Sequence, residues 1–312
     1  IKRLEKSKKV AQPHFKRGEK MKIIPGPASK ELSERIAKLL NAEIVPIFFK
    51  TFPDGESYIR FHTESLQDED VVIVQTTSPP QDQRLIQLLL MADNAQDMKA
   101  KSITTVIPYF AYSRQDKRFL PGEAFSIKTI MKLLQDCGVN RIITVNAHNP
   151  KILKTFKIPV EDLSAIPLLA EYFKEKSLVE NPVSLSLGKK ALNMATEADS
   201  VLKGGFDYIS TKRDVITGNV TLEKKELPIK TRDVIIFDDI ISSGGTMAKA
   251  VKFVKEQGAK KVYAACVHPL LIGDAQKRIL ENGAEEIIGT DSVPSPVSKV
   301  SIAPLISKAL TR

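Results

Sequence analysis

From Met21 onward, short apolar runs alternate with longer segments of helical period, and this alternation constrains the fold more than any other feature of the chain. Runs of Val and Ile without polar alternation suit strands buried on both faces, as happens where helices cover both sides of a parallel sheet. The predicted strands are 22–24, 44–47, 71–75, 102–108 and 141–146, then 183–187, 206–209, 233–237, 261–267 and 285–288. Residues 31–40, 125–136 and 247–257 read as helices, with Gly138 and Gly258 just past two of the C-termini. The expected class is α/β, with two similar doubly wound domains and largely parallel sheets. At 312 residues, 42% of them hydrophobic, the chain can fill two cores.

One internal match supports duplication: GVNRIITVNAH at 138–148 against GAKKVYAACVH at 258–268. Each reads helix-stop glycine, basic residue, strand and histidine. The expected division is a basic extension over 1–20, an N-terminal domain over 21–163 and a C-terminal domain over 164–296. A polar connection at 158–166 joins the two domains, and 297–312 packs back on the first half. Net charge is +10, which raises the question of nucleic acid, but residues 1–20 hold eight Lys/Arg against Glu5 and Glu19. Six of the ten excess charges therefore sit in that segment. The remainder is mildly basic and lacks zinc-finger spacing, so no specific nucleic-acid partner is expected. No apolar run approaches the ~18 residues of a membrane helix, and the basic N-terminal residues precede no apolar core. A cytoplasmic setting without a membrane partner is expected. Cys137 and Cys266 fit a reducing compartment and read as small buried residues.

The strongest chemical signal is VIIFDDIISSGGTMAKAV at 234–251, an apolar strand running into paired acids, a small polar turn and a helix. Ser242, Ser243, Gly244, Gly245 and Thr246 can aim successive N–H groups and hydroxyls at an anion, helped by the positive end of the helix. Asp238 and Asp239 stand at the carboxyl end of the strand, where α/β sheets place ligand contacts. Carboxylates there accept from vicinal ribose hydroxyls or coordinate a hard cation. A strand end followed by an ordinary helix cap would need only one of these parts, whereas acids and SSGGT together select a phosphorylated pentose. The run is not a Walker A loop, because GxxxxGK[ST] is absent from the sequence.

This segment resembles the phosphoribosyl-diphosphate loop shared by type I phosphoribosyltransferases and ribose-phosphate diphosphokinases. FKTFPDGESYIR (49–60), YFAYSRQDKRFLPGEAFS (109–126) and TVNAHNP (144–150) resemble ATP-side motifs of the diphosphokinases, which ordinary transferases lack. With CVHPLLIGDA (266–275), the resemblance to ribose-phosphate diphosphokinases, of archaeal type, covers nearly all of 21–312.

The resemblance implies a type I phosphoribosyltransferase-like fold, ATP and ribose 5-phosphate as substrates, and Mg2+ as cofactor. The implied reaction moves the diphosphoryl group of ATP to the C1 hydroxyl, with AMP departing. Arg114, Gln115 and Asp116 are implied to contact ATP, with Lys117 nearby. Their composition agrees, since two cations and two polar groups in one turn suit a triphosphate. Phe52 is implied to stack on adenine while Asp54 and Glu56 approach its polar edge from a neighbouring subunit, which implies a homo-oligomer. His148 is implied as a catalytic and metal-contacting histidine, sharing the metal with Asp238. Lys212 and Arg213 are the implied catalytic cations of a mobile loop, YISTKRDVITGN (208–219), in which Gly218 supplies flexibility.

Two positions depart from the family pattern. The two loop cations are adjacent rather than separated by one residue, which places Thr211 at the lysine position. In addition, Leu187-Gly188-Lys189-Lys190 stands where a Pro-Asp-x-Gly turn is usual. The departures keep open a catalytically silent homologue that binds nucleotide and partner subunits. A phosphoribosyltransferase is the third reading, disfavoured by FPDGE and YSRQDK.

Overall fold

The computed structural model describes residues 21–118, 120–153, 155–213, 220–223 and 225–312. The expectations for 1–20 and Gly218 fall outside the described residues. The first half contains β1 (Met21–Pro25), β2 (Glu43–Ile44), β3 (Ile47–Thr51), β4 (Ser57–Phe61), β5 (Asp70–Val74), β6 (Ser102–Ile107), β7 (Arg141–Val145) and β8 (Val160–Leu163). Six of these form one sheet in the order β2-β1-β5-β6-β7-β8, parallel throughout. Every residue of β5, β6 and β7 is buried, as their unbroken apolar character requires. Helices α1 (Lys30–Leu40), α2 (Gln81–Asp97), α3 (Ser126–Asp136) and α4 (Pro150–Leu153) belong to this half. In α3, Ile127, Ile130, Met131 and Leu134 form the buried stripe, and Gly138 follows at φ 80°, past the helix end as its sequence position suggests.

The second half repeats the plan. Its strands are β9 (Val183–Leu187), β10 (Phe206–Ile209), β11 (Thr211–Arg213), β12 (Val220–Leu222), β13 (Val234–Ile241), β14 (Val262–Pro269), β15 (Glu286–Thr290) and β16 (Ser298–Val300). The sheet order is β10-β9-β13-β14-β15-β16, again parallel, and β11 pairs with β12 in a separate antiparallel ribbon. Helix α5 (Ile166–Glu175) precedes these strands, and α6 (Leu192–Leu202), α7 (Gly245–Glu256), α8 (Ala275–Glu281) and α9 (Ala303–Leu310) come between and after them.

Three expectations need correction. Residues 44–47 are not one strand: β2 ends at Ile44, and Pro46, which has no N–H to give a ladder, marks the point where the chain leaves for the β3–β4 hairpin. The connection at 158–166 contains β8, an edge strand whose polar side chains are spent on specific contacts. Arg141 Nη2 donates to Glu161 at 2.6 Å, and the Ala147 N–H donates to Asp162 at 2.8 Å. The internal match is also out of step with the fold, because it equates β7 with β14. These hold the fifth and fourth places of their sheets, so the duplication lies in strand order and not in that match.

One apolar cluster runs through both halves. Val72, Val106 and Ile143 of the first sheet share it with Ile235, Phe237 and Val267 of the second, and Phe173 of α5 lies between them. The Phe173 ring meets Phe237 at 6.5 Å and Tyr263 at 5.4 Å, both edge-on. Helix α9 packs against α1, with Ile302, Ala303 and Ile306 in the same cluster as Leu32 and Ile36.

Candidate active site

The carboxyl ends of the two sheets meet, and the acids of β13 lie at the junction. Asp238 and Asp239 follow four fully buried residues and are themselves largely covered. The Asp239 N–H donates to Asp238 Oδ1 at 3.0 Å, and the Ile240 N–H donates to Asp239 Oδ1 at 2.9 Å, which fixes both carboxylates. Beyond them the chain turns at Gly244, φ 72°, and enters α7 at Gly245. Gly244 is needed there for space as well as conformation, since a Cβ would stand 3.0 Å from the Ala275 carbonyl oxygen. No side chain caps α7, so among the described residues its first-turn N–H groups are left to a ligand. Arg278, which the sequence reading missed, reaches this turn from α8, donating to the Ser243 carbonyl at 3.4 Å while paired with Asp274 at 2.7 Å. Its only signal in the sequence was the Asp-x-x-x-Arg spacing on a helix.

His148 arrives from the other half, just past β7. Its Nδ1 lies 2.8 Å from Asp239 Oδ2. Burial, the neighbouring charge of Asp239 and the hydrogen bond between the two raise the Asp238 carboxyl well above the usual carboxylate range, against the opposing charge of Arg114. Burial acts on Asp239 in the same sense, but the hydrogen bond and charge of His148 outweigh it and hold Asp239 below that range. The two adjacent carboxyls are thus pushed in opposite directions, Asp238 up and Asp239 down.

The 114–117 segment is held to the His148 turn by a hydrogen bond from the Asn149 amide to Asp116. Gln115 Nε2 donates to the Lys117 carbonyl at 3.4 Å, and the charge of Arg114 reaches both Asp238 and Tyr109. Phe52, Asp54 and Glu56 lie at the exposed tip of the β3–β4 hairpin, where the Glu56 N–H donates to Asp54 at 3.1 Å. The Lys50 ammonium sits 4.3 Å from the Phe52 ring centre. Lys212 and Arg213 are successive residues of β11, opposite Thr221 and Val220; their side chains fall outside the described residues. The Leu187-Gly188-Lys189-Lys190 turn ends β9, the strand beside β13. Gly188, φ 84°, backs onto Thr211, whose Oγ1 a Cβ would approach to 2.9 Å. Lys189 and Lys190 are exposed.

Paired parallel sheets with an acid-then-glycine turn at the carboxyl end of a central strand define an α/β protein whose ligand crevice lies at its strand ends. Comparison with known proteins narrows this. Residues 21–138 match the N-terminal domain of ribose phosphate pyrophosphokinase, and 226–309 match the phosphoribosyl synthetase-associated domain. The ribose-phosphate pyrophosphokinase of Saccharolobus solfataricus is 42% identical over 274 residues, covering 88% of this chain and 93% of the relative. That of Sulfolobus acidocaldarius is 41% identical over 293 residues, covering 94% and 99%. The crystal structure of phosphoribosylpyrophosphate synthetase from Mycobacterium smegmatis superposes with a TM-score of 0.83 at 30% identity, over 94% of this chain and 98% of that one. The chain belongs to the ribose-phosphate pyrophosphokinase family, as its motifs led one to expect.

Proposed function

We propose that the chain transfers the diphosphoryl group of ATP to the C1 hydroxyl of ribose 5-phosphate, releasing AMP and 5-phosphoribosyl 1-diphosphate. The observation that carries this is the meeting of His148 with Asp239, which brings the ATP-side half to the sugar-side half at 2.8 Å. On the sugar side, Asp238 and Asp239 accept from the ribose diol, and the turn of Ser242, Ser243, Gly244, Gly245 and Thr246 receives the 5-phosphate on its amides and hydroxyls. On the ATP side, Arg114, Gln115, Asp116 and Lys117 hold the nucleotide, and Phe52, Asp54 and Glu56 receive adenine. Lys212 and Arg213 neutralise the migrating diphosphoryl group. No covalent intermediate on the protein is required, since alignment and charge neutralisation drive phosphoryl transfers of this kind.

We propose that Asp238 and His148 hold Mg2+ together with substrate oxygens and water; a dication there would offset the burial and neighbouring negative charge that raise the Asp238 carboxyl. When bound, the metal supplies charge neutralisation at the triphosphate. The exposure of the hairpin tip suits adenine binding across a subunit boundary in a homo-oligomer. Exposed Phe48, Tyr58, Ile86 and Leu90 on the hairpin and α2 suit such a contact. The proposed domains are 21–163 for ATP and 164–296 for the sugar phosphate, with 297–312 returning towards the first; β16 of that segment nevertheless completes the second sheet. No described helix is long and apolar enough to cross a membrane; a cytoplasmic setting suits these substrates.

The deciding assay supplies Mg2+, ATP and ribose 5-phosphate and follows AMP, ADP and 5-phosphoribosyl 1-diphosphate together. Equal amounts of AMP and 5-phosphoribosyl 1-diphosphate are expected. ADP in place of AMP refutes the reaction, and nucleotide binding without turnover refutes the catalytic role.

A further inference from the structure

His268 ends β14 in the second half, 2% exposed, and takes no part in the chemistry described so far. Its sequence gives no hint of a partner; the structure supplies three. Nε2 lies 2.9 Å from the Val145 carbonyl, Nδ1 lies 2.8 Å from Ser292 Oγ, and the ring meets Tyr109 edge-on at 5.1 Å. Val145 and Tyr109 belong to the first half, so one side chain of the second half touches the end of β7 and the segment just past β6.

The hydrogen-bond pattern settles which nitrogen carries the proton. Burial keeps the ring neutral, pushing its pKa down to about 4. A carbonyl only accepts, so Nε2 carries the hydrogen and donates to Val145. Nδ1 is then an acceptor, and the Ser292 hydroxyl donates to it. The single hydrogen of that hydroxyl is shared, because Ser292 Oγ also lies 2.7 Å from the Val267 carbonyl, which accepts from Thr290 Oγ1 at 2.7 Å as well. Ser292 is itself held across the halves, its carbonyl accepting from Thr76 Oγ1 at 2.8 Å.

The two elements touched by His268 lead directly to the site. Three residues past Val145 comes His148, paired with Asp239; five past Tyr109 comes Arg114, whose charge acts on Asp238. The turn after β7 is already tied to its own half, the Asn146 N–H to the Leu163 carbonyl at 2.8 Å and Ala147 to Asp162. These ties fix the turn within the first sheet but say nothing of its position relative to Asp239. The contact from His268 does, because β14 lies beside β13 in register, Ile240 opposite His268.

We propose that His268 is a positioning residue for diphosphoryl transfer: by holding the Val145 carbonyl and the face of Tyr109, it sets His148 and Arg114 against the β13 aspartates. This rests on the reaction proposed above. A registering contact of this kind acts on alignment rather than on affinity for the sugar phosphate, whose contacts lie wholly in the second half. Its loss should therefore fall on kcat, since small misplacements of catalytic groups lower rates by roughly 10- to 100-fold.

The test pairs H268F, which keeps a ring on Tyr109 but has no donor, with H268Q, whose amide can still donate to Val145. In H268F we expect kcat to fall at least about 10-fold with KM for ribose 5-phosphate within about twofold, and H268Q to recover most of that loss. Amide exchange at 145–148 is read in parallel, without substrates, and should quicken in H268F but not in H268Q. Wild-type kcat and wild-type exchange in H268F overturn the proposal, as do equal losses in the two variants that merely follow their melting temperatures. Should H268F prove insoluble, H268N, which cannot reach Val145, replaces it under the same criteria. The exchange measurement is independent of turnover, so a wild-type protein that releases no AMP counts against the reaction while exchange still decides the pin.

Discussion

Gly244 offers a clean separation of conformational strain from ligand contact, because its neighbour Gly245 serves as an internal control. Gly244 sits at φ 72°, where an L-residue costs about 1–2 kcal/mol. A Cβ there would also stand 3.0 Å from the Ala275 carbonyl oxygen and 3.1 Å from its Cβ. The first of these is backbone and cannot swing aside. Together the two effects put Gly244→Ala at roughly 2 kcal/mol of destabilisation, or a melting temperature lower by about 3 °C for a chain of this size. Gly245 has no such strain; the nearest atom to its Cβ is Arg278 Nη1, at 3.9 Å. Gly245→Ala should hold or raise stability by up to about 1 kcal/mol, as for glycine replaced inside a helix. Its methyl nevertheless stands at the amide edge that receives the 5-phosphate, so KM for ribose 5-phosphate should rise by roughly tenfold, about 1.4 kcal/mol. Differential scanning calorimetry and initial rates read the two effects separately. An unchanged melting temperature in Gly244→Ala, or wild-type KM in Gly245→Ala, would show that the turn is not the strained amide cradle described.

The remaining predictions concern pH, packing and the loop tie. His268 is neutral when folded, with its pKa lowered to about 4 from an ordinary 6.5, so the unfolded chain binds more protons between those values. Folding stability should fall as pH drops from 6.5 to 4, by up to roughly 3 kcal/mol, and urea titrations of H268F should lack that slope. Asp239 is buried, yet its hydrogen bond to His148 and the charge of that ring hold its pKa low, which adds stability that is present above the usual carboxylate value and lost as pH falls below it. Asp239→Asn should flatten that acid limb. Phe173→Ala should cost about 3–5 kcal/mol and lower a single unfolding transition, since Phe173 belongs to a core shared by both halves; two separated transitions in the wild type would contradict that sharing. Asn149→Ala, which frees Asp116, should raise KM for ATP more than KM for the sugar; the reverse order would mean that the tie serves the other half.

The sequence makes the central strands legible because burial on both faces leaves unbroken Val and Ile, and three helices legible because periodicity and a following glycine or cap coincide. It hides β8, where Glu161 and Asp162 occupy an edge and earn their place through pairing with Arg141 and the Ala147 amide. It hides α2 as well. Gln87 lies in its buried row and donates to Ser57 Oγ of the hairpin at 3.1 Å, so a polar residue interrupts the expected apolar stripe. The sugar-side turn was readable because its parts are contiguous. The His148–Asp239 pair was not, since 91 positions separate its members and only the apposition of two sheets joins them. The same holds for His268, whose acceptor lies 123 positions away.

The packing of α9 on α1 has a consequence for biosynthesis. The face of α1 that carries Leu32 and Ile36 is covered in part by Ile302, Ala303 and Ile306, residues that leave the ribosome about 270 positions later. At translation speeds of about 5–20 residues per second, that interval is on the order of 10–50 s. Throughout it, the part of the α1 face that α9 covers lacks its partner, so the first half is completed only after the second has been made.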